Sequence, residues 1–160
     1  MGSATIIATA FALILLIITA YFLVAVVLTT AEVVSVAQQD KVNLQDLRLR
    51  TSIDISNISV NESSSLLYIE ILNDGNAEIS EYKYWDIYTG NNSALAPLHY
   101  MTGNSSGEWS IILIKPDILN PGILDPQETI NVSVQYPGQK PLWVQVTTPN
   151  GVSASSYVNT

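Results

Sequence analysis

The sequence predicts a mainly β protein, in which an N-terminal transmembrane or pilin-like α-helix is followed by an immunoglobulin-like antiparallel β-sandwich. Two observations support this fold class. Residues 1–31 contain no charged side chain, and from position 51 onward short runs of alternating apolar and polar residues are separated by turn residues. We therefore expect residues 1–50 to form a membrane-spanning helix with an amphipathic stalk. Residues 51–160 are expected to form an extracytoplasmic β-sandwich domain.

The helix prediction depends on residues 6–31, of which fifteen are Ile, Leu, Val or Phe. As a helix this run would be about 39 Å long, longer than the roughly 30 Å hydrocarbon core of a bilayer. A cleaved signal peptide is disfavoured, because no basic residue precedes the run and signal sequences are shorter. A plain anchor, and an anchor that also packs in a filament core as pilin helices do, both stay open. Since residues 32–49 lack Gly and Pro, we expect one helix from about Thr5 to about Leu49.

Seven or eight short antiparallel strands are predicted beyond the helix. The pattern at 129–136 is the clearest, with Ile130, Val132, Val134 and Tyr136 facing inward, and Asn150–Gly151 is a strong hairpin signal. The predicted strands are 51–60, 66–73, 82–89, 94–101, 109–115, 129–136, 142–148 and 152–157. The proline-rich loop at 116–127 is expected to cross from one sheet to the other.

Charge and cysteine content exclude several functions. Residues 51–160 contain eleven acids and three lysines and so carry the whole formal charge of −8. This surface repels nucleic acid and anionic headgroups, so no nucleic-acid partner is expected. The chain has no cysteine, which excludes a disulfide framework and a thiolate site.

No catalytic, cofactor or metal site is predicted, and we expect the protein not to be an enzyme. Residues 103–107 match G-x-S-x-G, but a nucleophile elbow needs a strand, a tight turn and a helix, with the histidine later in the chain. Here His99 precedes Ser105, and strands flank the turn. Asp117, Asp125 and Glu128 could converge on Ca²⁺ if the proline loop folds back, although no EF-hand spacing is present.

Two residue types point instead to surface recognition. Five Asn-x-Ser/Thr sequons follow the helix, at Asn57, Asn61, Asn91, Asn104 and Asn131. They indicate either a glycosylated exterior domain, with the N-terminus inside, or unmodified asparagines on polar turns. The tryptophans Trp85, Trp109 and Trp143 fall in three different strands and are expected in the core, although one exposed Trp could mark a partner surface.

Several motifs carry a family resemblance. The opening MGSATIIAT and the unbroken apolar helix are similar to the archaeal flagellin-like proteins, which have a type IV pilin-like helix and a β-sandwich head. Trp109, the run KPDILNPGILDPQE at 115–128 and TTPNGV at 147–152 resemble the F and G accessory protein family of the archaellum, the archaeal swimming filament, and its F member above all. Archaellin precursors carry a short basic leader. Its absence before Gly2 favours an accessory protein over a processed filament subunit.

The resemblance implies a non-enzymatic, single-pass membrane protein that acts as a stator of the archaellum. Its head would lie beneath the surface layer and bind surface-layer protein, so that the rotor turns against a fixed part. Other implied partners are a G-type accessory protein, the motor platform and the membrane, and a homo-oligomer stays open. The alternative is an archaellin- or type IV pilin-like subunit of a surface filament. A membrane-anchored enzyme or solute-binding protein is disfavoured.

Overall fold

The computed structural model describes residues 2–91, 95–101, 103 and 105–158. It contains one helix and eight strands, and it divides into two compact units, Met1–Asn43 and Leu44–Thr160. The elements are α1 (Gly2–Arg50), β1 (Ile53–Asn61), β2 (Leu66–Asn73), β3 (Asp86–Gly90), β4 (Leu95–Tyr100), β5 (Glu108–Lys115), β6 (Thr129–Gln135), β7 (Trp143–Thr147) and β8 (Ser153–Tyr157). The expected helix followed by a β-sandwich is confirmed. We call residues 51–160, the part of the second unit that follows α1, the head.

The helix α1 is continuous, as the absence of Gly and Pro predicts, and its apolar stretch is uncovered. None of its described residues is buried, and its most apolar 18-residue window has a mean hydropathy of 3.0. The hydroxyls of Thr9, Thr19 and Thr29 donate to carbonyls three or four residues earlier, which removes their need for water. By length and composition, α1 can therefore cross a membrane.

The strands form one hydrogen-bonded sheet in the order β1-β2-β6-β5-β4-β3-β7-β8. Among the described residues, its two four-stranded halves are hydrogen-bonded to each other only where β4 meets β5. That link is parallel, not antiparallel as predicted, and it consists of two residue pairs, His99 with Glu108 and Tyr100 with Trp109. The overlap is short because the connection between the two strands is far too short for a full parallel crossover.

The core lies between the two halves and is built from the inward positions of every strand. In β2 and β6 alternate residues are completely buried, as the period-two pattern predicts, and each fully buried Ile or Val stabilises the fold by about 1.5 to 3 kcal/mol. The most deeply buried core side chains are Leu67, Ile69, Ile71, Ile87, Trp109, Leu124, Ile130, Val132, Val134, Val144 and Val146.

Two further details differ from the sequence predictions. The third strand starts at Asp86, because Glu81 adopts a left-handed conformation (φ 55°) and Tyr82–Tyr84 form a single 3₁₀ turn. The loop 116–127 does not cross between sheets. It joins the adjacent antiparallel strands β5 and β6. Both differences arise in polar or aromatic segments, where the alternation of apolar residues carries no information about backbone turns.

We expect the head to fold without the apolar part of α1, since none of the described core residues lies in that helix. A chain of residues 44–160, which keeps the last helical turn, should be soluble and show a circular dichroism spectrum dominated by β structure. A chain of residues 51–160 should show the same spectrum with a lower unfolding temperature, because it lacks that turn. A helix-dominated spectrum in either chain would contradict the assignment of the core.

Candidate functional site

The end of α1 is fastened to the head by backbone hydrogen bonds. The last four carbonyls of a helix lack intrahelical partners. Here the Arg50 carbonyl accepts from the N–H groups of Asn76 (2.8 Å) and Ala77 (3.1 Å), and the Leu47 carbonyl accepts from both the N–H and the hydroxyl of Thr51. The Thr51 hydroxyl accepts in turn from the Asn150 side chain at 2.7 Å. We call this set of contacts the junction.

Gly75 allows the closest approach in the junction. A Cβ atom at this position would lie 2.5 Å from both the Arg50 carbonyl oxygen and the Ser52 nitrogen. The Arg50 oxygen cannot move aside without disturbing the hydrogen bonds from Asn76 and Ala77. Only glycine therefore fits between the last helical residue and the turn that holds it.

Asn73 organises the same end of the head from inside. Its side chain is fully buried and uses each of its polar atoms. The amide Nδ2 donates to the carbonyls of Ala77 (2.8 Å) and Leu124 (2.9 Å), and Oδ1 accepts from the Gly75 N–H. One side chain thus ties the end of β2, the turn that caps α1 and the loop 116–127 together. Residues 73–75 (Asn-Asp-Gly) have the composition of an ordinary turn, so the sequence alone does not predict this role. The strand-terminal Asn followed by Gly was the one available signal.

The three acids considered for Ca²⁺ hold the proline-rich loop in place. The Asp125 carboxylate accepts from the N–H and side-chain amide of Asn120, and the Glu128 carboxylate accepts from the N–H groups of Ile118 and Asp125. Asp117 accepts from a further loop N–H. Among the described residues no group of three or more ligating side chains is placed to hold a metal. The acids act as anchors for backbone donors.

Tyr82 sits above this loop and stays protonated across the physiological range. Its hydroxyl lies 3.2 Å from the carbonyls of Ile79 and Gly122, so it can donate to either. Burial raises the pKa of Tyr82 to about 12, and the carboxylates of Asp117, Glu128 and Asp125 add to the rise, against a lowering backbone hydrogen bond. The hydroxyl is therefore a permanent donor that helps to hold the loop.

His99 lies near the end of β4, and Ser105 lies in the connection between β4 and β5. The Ser105 N–H donates to the Glu108 carboxylate at 3.0 Å, and His99 is exposed on β4 with its backbone N–H bonded to the Gly107 carbonyl. The segment joins two strands, without the helix that an elbow nucleophile needs. Asn104 of this motif lies outside the described residues.

The tryptophans divide into two core residues and one surface residue. Trp85 and Trp109 are 3% and 1% exposed and pack against Tyr82 and Tyr100, respectively. Trp143 lies half-exposed on the outer face of β7. Its indole ring covers Gly90 of β3, where a Cβ atom would overlap the ring. Of the three tryptophans, Trp143 is therefore the one whose exposure could mark a partner surface.

Trp143 is part of an uncharged aromatic patch. Its cross-strand partner is Tyr157, which is 75% exposed, and the next outward pair is Gln145 with Ser155. These side chains, together with Ser156, line one shallow cleft. We call this group the aromatic patch.

The sequons differ in accessibility. Asn57 and Asn61 are exposed, and so are the serines two residues after each. Asn131 is half-buried, donates to Glu70 at 3.5 Å, and its sequon ends at the buried Ser133. Asn91 is half-buried, while the rest of its sequon and the whole of Asn104 lie outside the described residues.

The two ends of the sheet meet at an open seam. β1 and β8 lie side by side, but the described residues of the two strands exchange no ladder hydrogen bonds. Ile55, Ser56, Asn57 and Ile58 of β1 face Ser156 and Tyr157 of β8 across a cleft of about 230 Å³. The seam leaves two strand edges available to a partner.

Replacing glycine by alanine, once inside the junction and once outside it, tests the junction. We expect Gly75→Ala to destabilise the head by about 2 kcal/mol or more, because the added methyl overlaps two backbone atoms. The matched control is Gly103→Ala, whose Cβ would have only a Glu108 oxygen 3.6 Å away, and it should change stability by no more than about 0.5 kcal/mol. Thermal unfolding followed by circular dichroism measures both. Equal melting temperatures would show that the junction tolerates a side chain.

The pKa of Tyr82 generates a pH prediction. The pKa of Tyr82 is raised from 10.0 in the unfolded chain to about 12 in the head. The contribution of protonated Tyr82 to the free energy of unfolding is therefore fully present below pH 10 and is lost as the pH rises from 10 to 12. Tyr82→Phe cannot ionise, so its stability should fall less over this range. Denaturant unfolding at pH 8, 10 and 11.5 measures the difference. Parallel losses in the two proteins would mean that Tyr82 ionises normally.

The chain was compared with known proteins to find those that it resembles. No family model matches the chain. An uncharacterized protein of Archaeoglobus fulgidus is 27% identical over 157 residues, covering 98% of this chain and 95% of the relative. Among solved structures, the archaellum periplasmic stator protein FlaG from Sulfolobus acidocaldarius has a TM-score of 0.53 at 23% identity, covering 68% of this chain and 99% of that protein.

A second solved structure comes from the same organism. The archaellum periplasmic stator protein complex of FlaF and FlaG has a TM-score of 0.52 at 25% identity, covering 66% of this chain and 87% of the matched chain. The resemblance to the F and G accessory proteins of the archaellum is thus confirmed.

Proposed function

We propose that this protein is a non-enzymatic, membrane-anchored stator component of the archaellum motility machinery. The observation that carries the proposal is the likeness of the chain to the stator protein FlaG and to a chain of the FlaF–FlaG complex, joined to an uncovered apolar helix. In this proposal residues 1–50 are the anchor and stalk, and residues 51–160 are the head in the space beneath the surface layer. Surface-layer protein is its fixed partner.

The junction suits this mechanical task. A stator must pass a load from its grip on the envelope to its anchor, and a flexible linker would let the head rotate freely. Here two N–H donors and a fitted glycine tie the last helical residue to the head. The load then passes through ordered backbone contacts and not through a loose segment.

The strand order supports the immunoglobulin-like description. The eight strands can be lettered A, B, C, C′, D, E, F and G in chain order. One half of the sheet, β1-β2-β6-β5, then has the order ABED, and the other half, β4-β3-β7-β8, has the order C′CFG, as in immunoglobulin sandwiches. Such sandwiches leave edges and outer faces free for partners. Partnership with a second accessory protein is proposed on the same ground, since one matched structure is a complex of FlaF with FlaG.

The uncovered helix also supports an alternative function. Exposed apolar residues all around α1 need either lipid or neighbouring helices, and a helical filament core would supply the latter. In that alternative the chain is an archaellin- or type IV pilin-like subunit of a surface filament. The place where the protein is found in the cell separates the two functions.

We expect a strain lacking the gene to stop swimming, and the full-length protein expressed in that strain to restore it. The restored protein should remain in the membrane fraction, and its detergent extract should capture surface-layer protein. Affinity in the micromolar range, about −8 kcal/mol, suffices because several copies around one motor add avidity. A variant chain without residues 51–160 is the control. Protein found along isolated filaments, without surface-layer capture, would replace the stator by the filament subunit.

A further inference from the structure

The seam and the aromatic patch form one continuous surface. Tyr157 and Ser156 line both the cleft that faces Asn57 and the cleft that contains Trp143. A group attached to the Asn57 side chain therefore has a direct path across β8 to the indole ring. None of the described residues that line the two clefts is charged, although the head as a whole is strongly acidic.

The lining has the chemistry that a sugar requires. The apolar face of a pyranose ring stacks on flat aromatic rings through its C–H groups, and its hydroxyls need amide and hydroxyl partners. Trp143 and Tyr157 supply adjacent rings, while Gln145, Ser155 and Ser156 supply polar groups beside them. The ring of Trp143 is held in place by Gly90, so the stacking surface exists before anything binds.

We propose that Asn57 carries an N-linked glycan whose first sugars lie across the seam on Tyr157 and Trp143. This inference rests on the extracytoplasmic head of the proposed function. In the transfer step, Asn57 Nδ2 bonds to the anomeric carbon of a lipid-phosphate-linked oligosaccharide. The bond from that carbon to the phosphate oxygen breaks, the lipid phosphate leaves with the electron pair, and Nδ2 loses one proton.

Local backbone structure places Asn57 correctly for this role. A bulge between Ile55 and Asn57 inserts Ser56, so that Ser56 and Asn57 are both exposed. The Ser56 hydroxyl donates to the Glu70 carbonyl and fixes the bulge. The other exposed sequon, at Asn61, lies at the far end of β1, where Lys140 pairs with Glu62. Among the described asparagines of the sequons, only Asn57 lines the seam.

A glycan in this position also has a structural effect. The outer edges of β1 and β8 carry backbone N–H and C=O groups that could pair with a strand of another molecule. Sugars lying across the seam would cover those edges. They would make the seam unavailable for strand pairing and leave the rest of the head free for partners.

The test uses the full-length protein purified in detergent from its native organism. Trypsin releases residues 51–83, which contain both Asn57 and Asn61. Ser59→Ala removes the Asn57 sequon, Ser63→Ala is the matched control that removes the Asn61 sequon, and Ser59→Thr restores the first. We expect glycan mass on this peptide in wild type, Ser63→Ala and Ser59→Thr. The part of that mass carried by Asn57 should be lost in Ser59→Ala.

Tryptophan fluorescence tests the stacking. Since Trp85 and Trp109 are buried, quenching by acrylamide reports mainly on Trp143. Quenching should increase in Ser59→Ala, and also in Tyr157→Ser, in which the glycan stays attached but loses one stacking ring. Ser63→Ala should match wild type. Equal quenching in wild type and Ser59→Ala would overturn the stacking even if Asn57 is modified.

The outcomes separate this inference from the proposed function. Glycan mass at Asn61 alone would overturn the inference and leave the extracytoplasmic head intact. An unmodified chain would overturn the inference without bearing on swimming or on capture of surface-layer protein. Conversely, a glycan on Asn57 of a protein found along filaments would support the inference while the stator proposal fails.

Discussion

The structure of the head depends on how the Arg50 carbonyl is satisfied. A helix that ends inside a domain leaves carbonyls that need donors, and an unpaired buried carbonyl is costly. The head supplies two N–H groups from one turn, and that turn reaches the helix only because position 75 has no side chain. The side chain of Asn73 holds this turn, and its amide group also donates to the loop 116–127. The end of α1 and one pole of the sandwich therefore form a single cooperative unit.

The same pole contains most of the polar groups buried in the head. Asp125 and Glu128 are buried, yet their carboxylates accept from loop N–H groups, and the Tyr82 hydroxyl has carbonyl partners. Leu124 is the one side chain of the loop 116–127 that is buried in the core, and Ile118 and Leu119 are exposed. The shape of the loop is set by these hydrogen bonds, which is why the sequence run at 115–128 contains acids between its prolines.

The sequence predicts the periodic parts of this fold well. The apolar run fixes α1, and the alternation around Ile130 and Val132 fixes β6, because burial on one face requires that spacing. The left-handed Glu81 could not be predicted, since the spacing of apolar residues carries no information about a single residue with positive φ. The junction was missed for a similar reason. Asn73 and Gly75 have the composition of an ordinary turn, and only the arriving helix gives them their role.

The pairing of β1 gives the head a preferred direction of mechanical strength. Two residues separate α1 from β1, and β1 is paired along its length with β2 alone. A pull on Arg50 directed along the strand loads all the bonds of this ladder at once, in shear. A pull across the strand would open them one after another, like a zipper. The bulge beside Asn57 divides the ladder, so a shearing force is shared by two shorter stretches of paired strand that yield in succession.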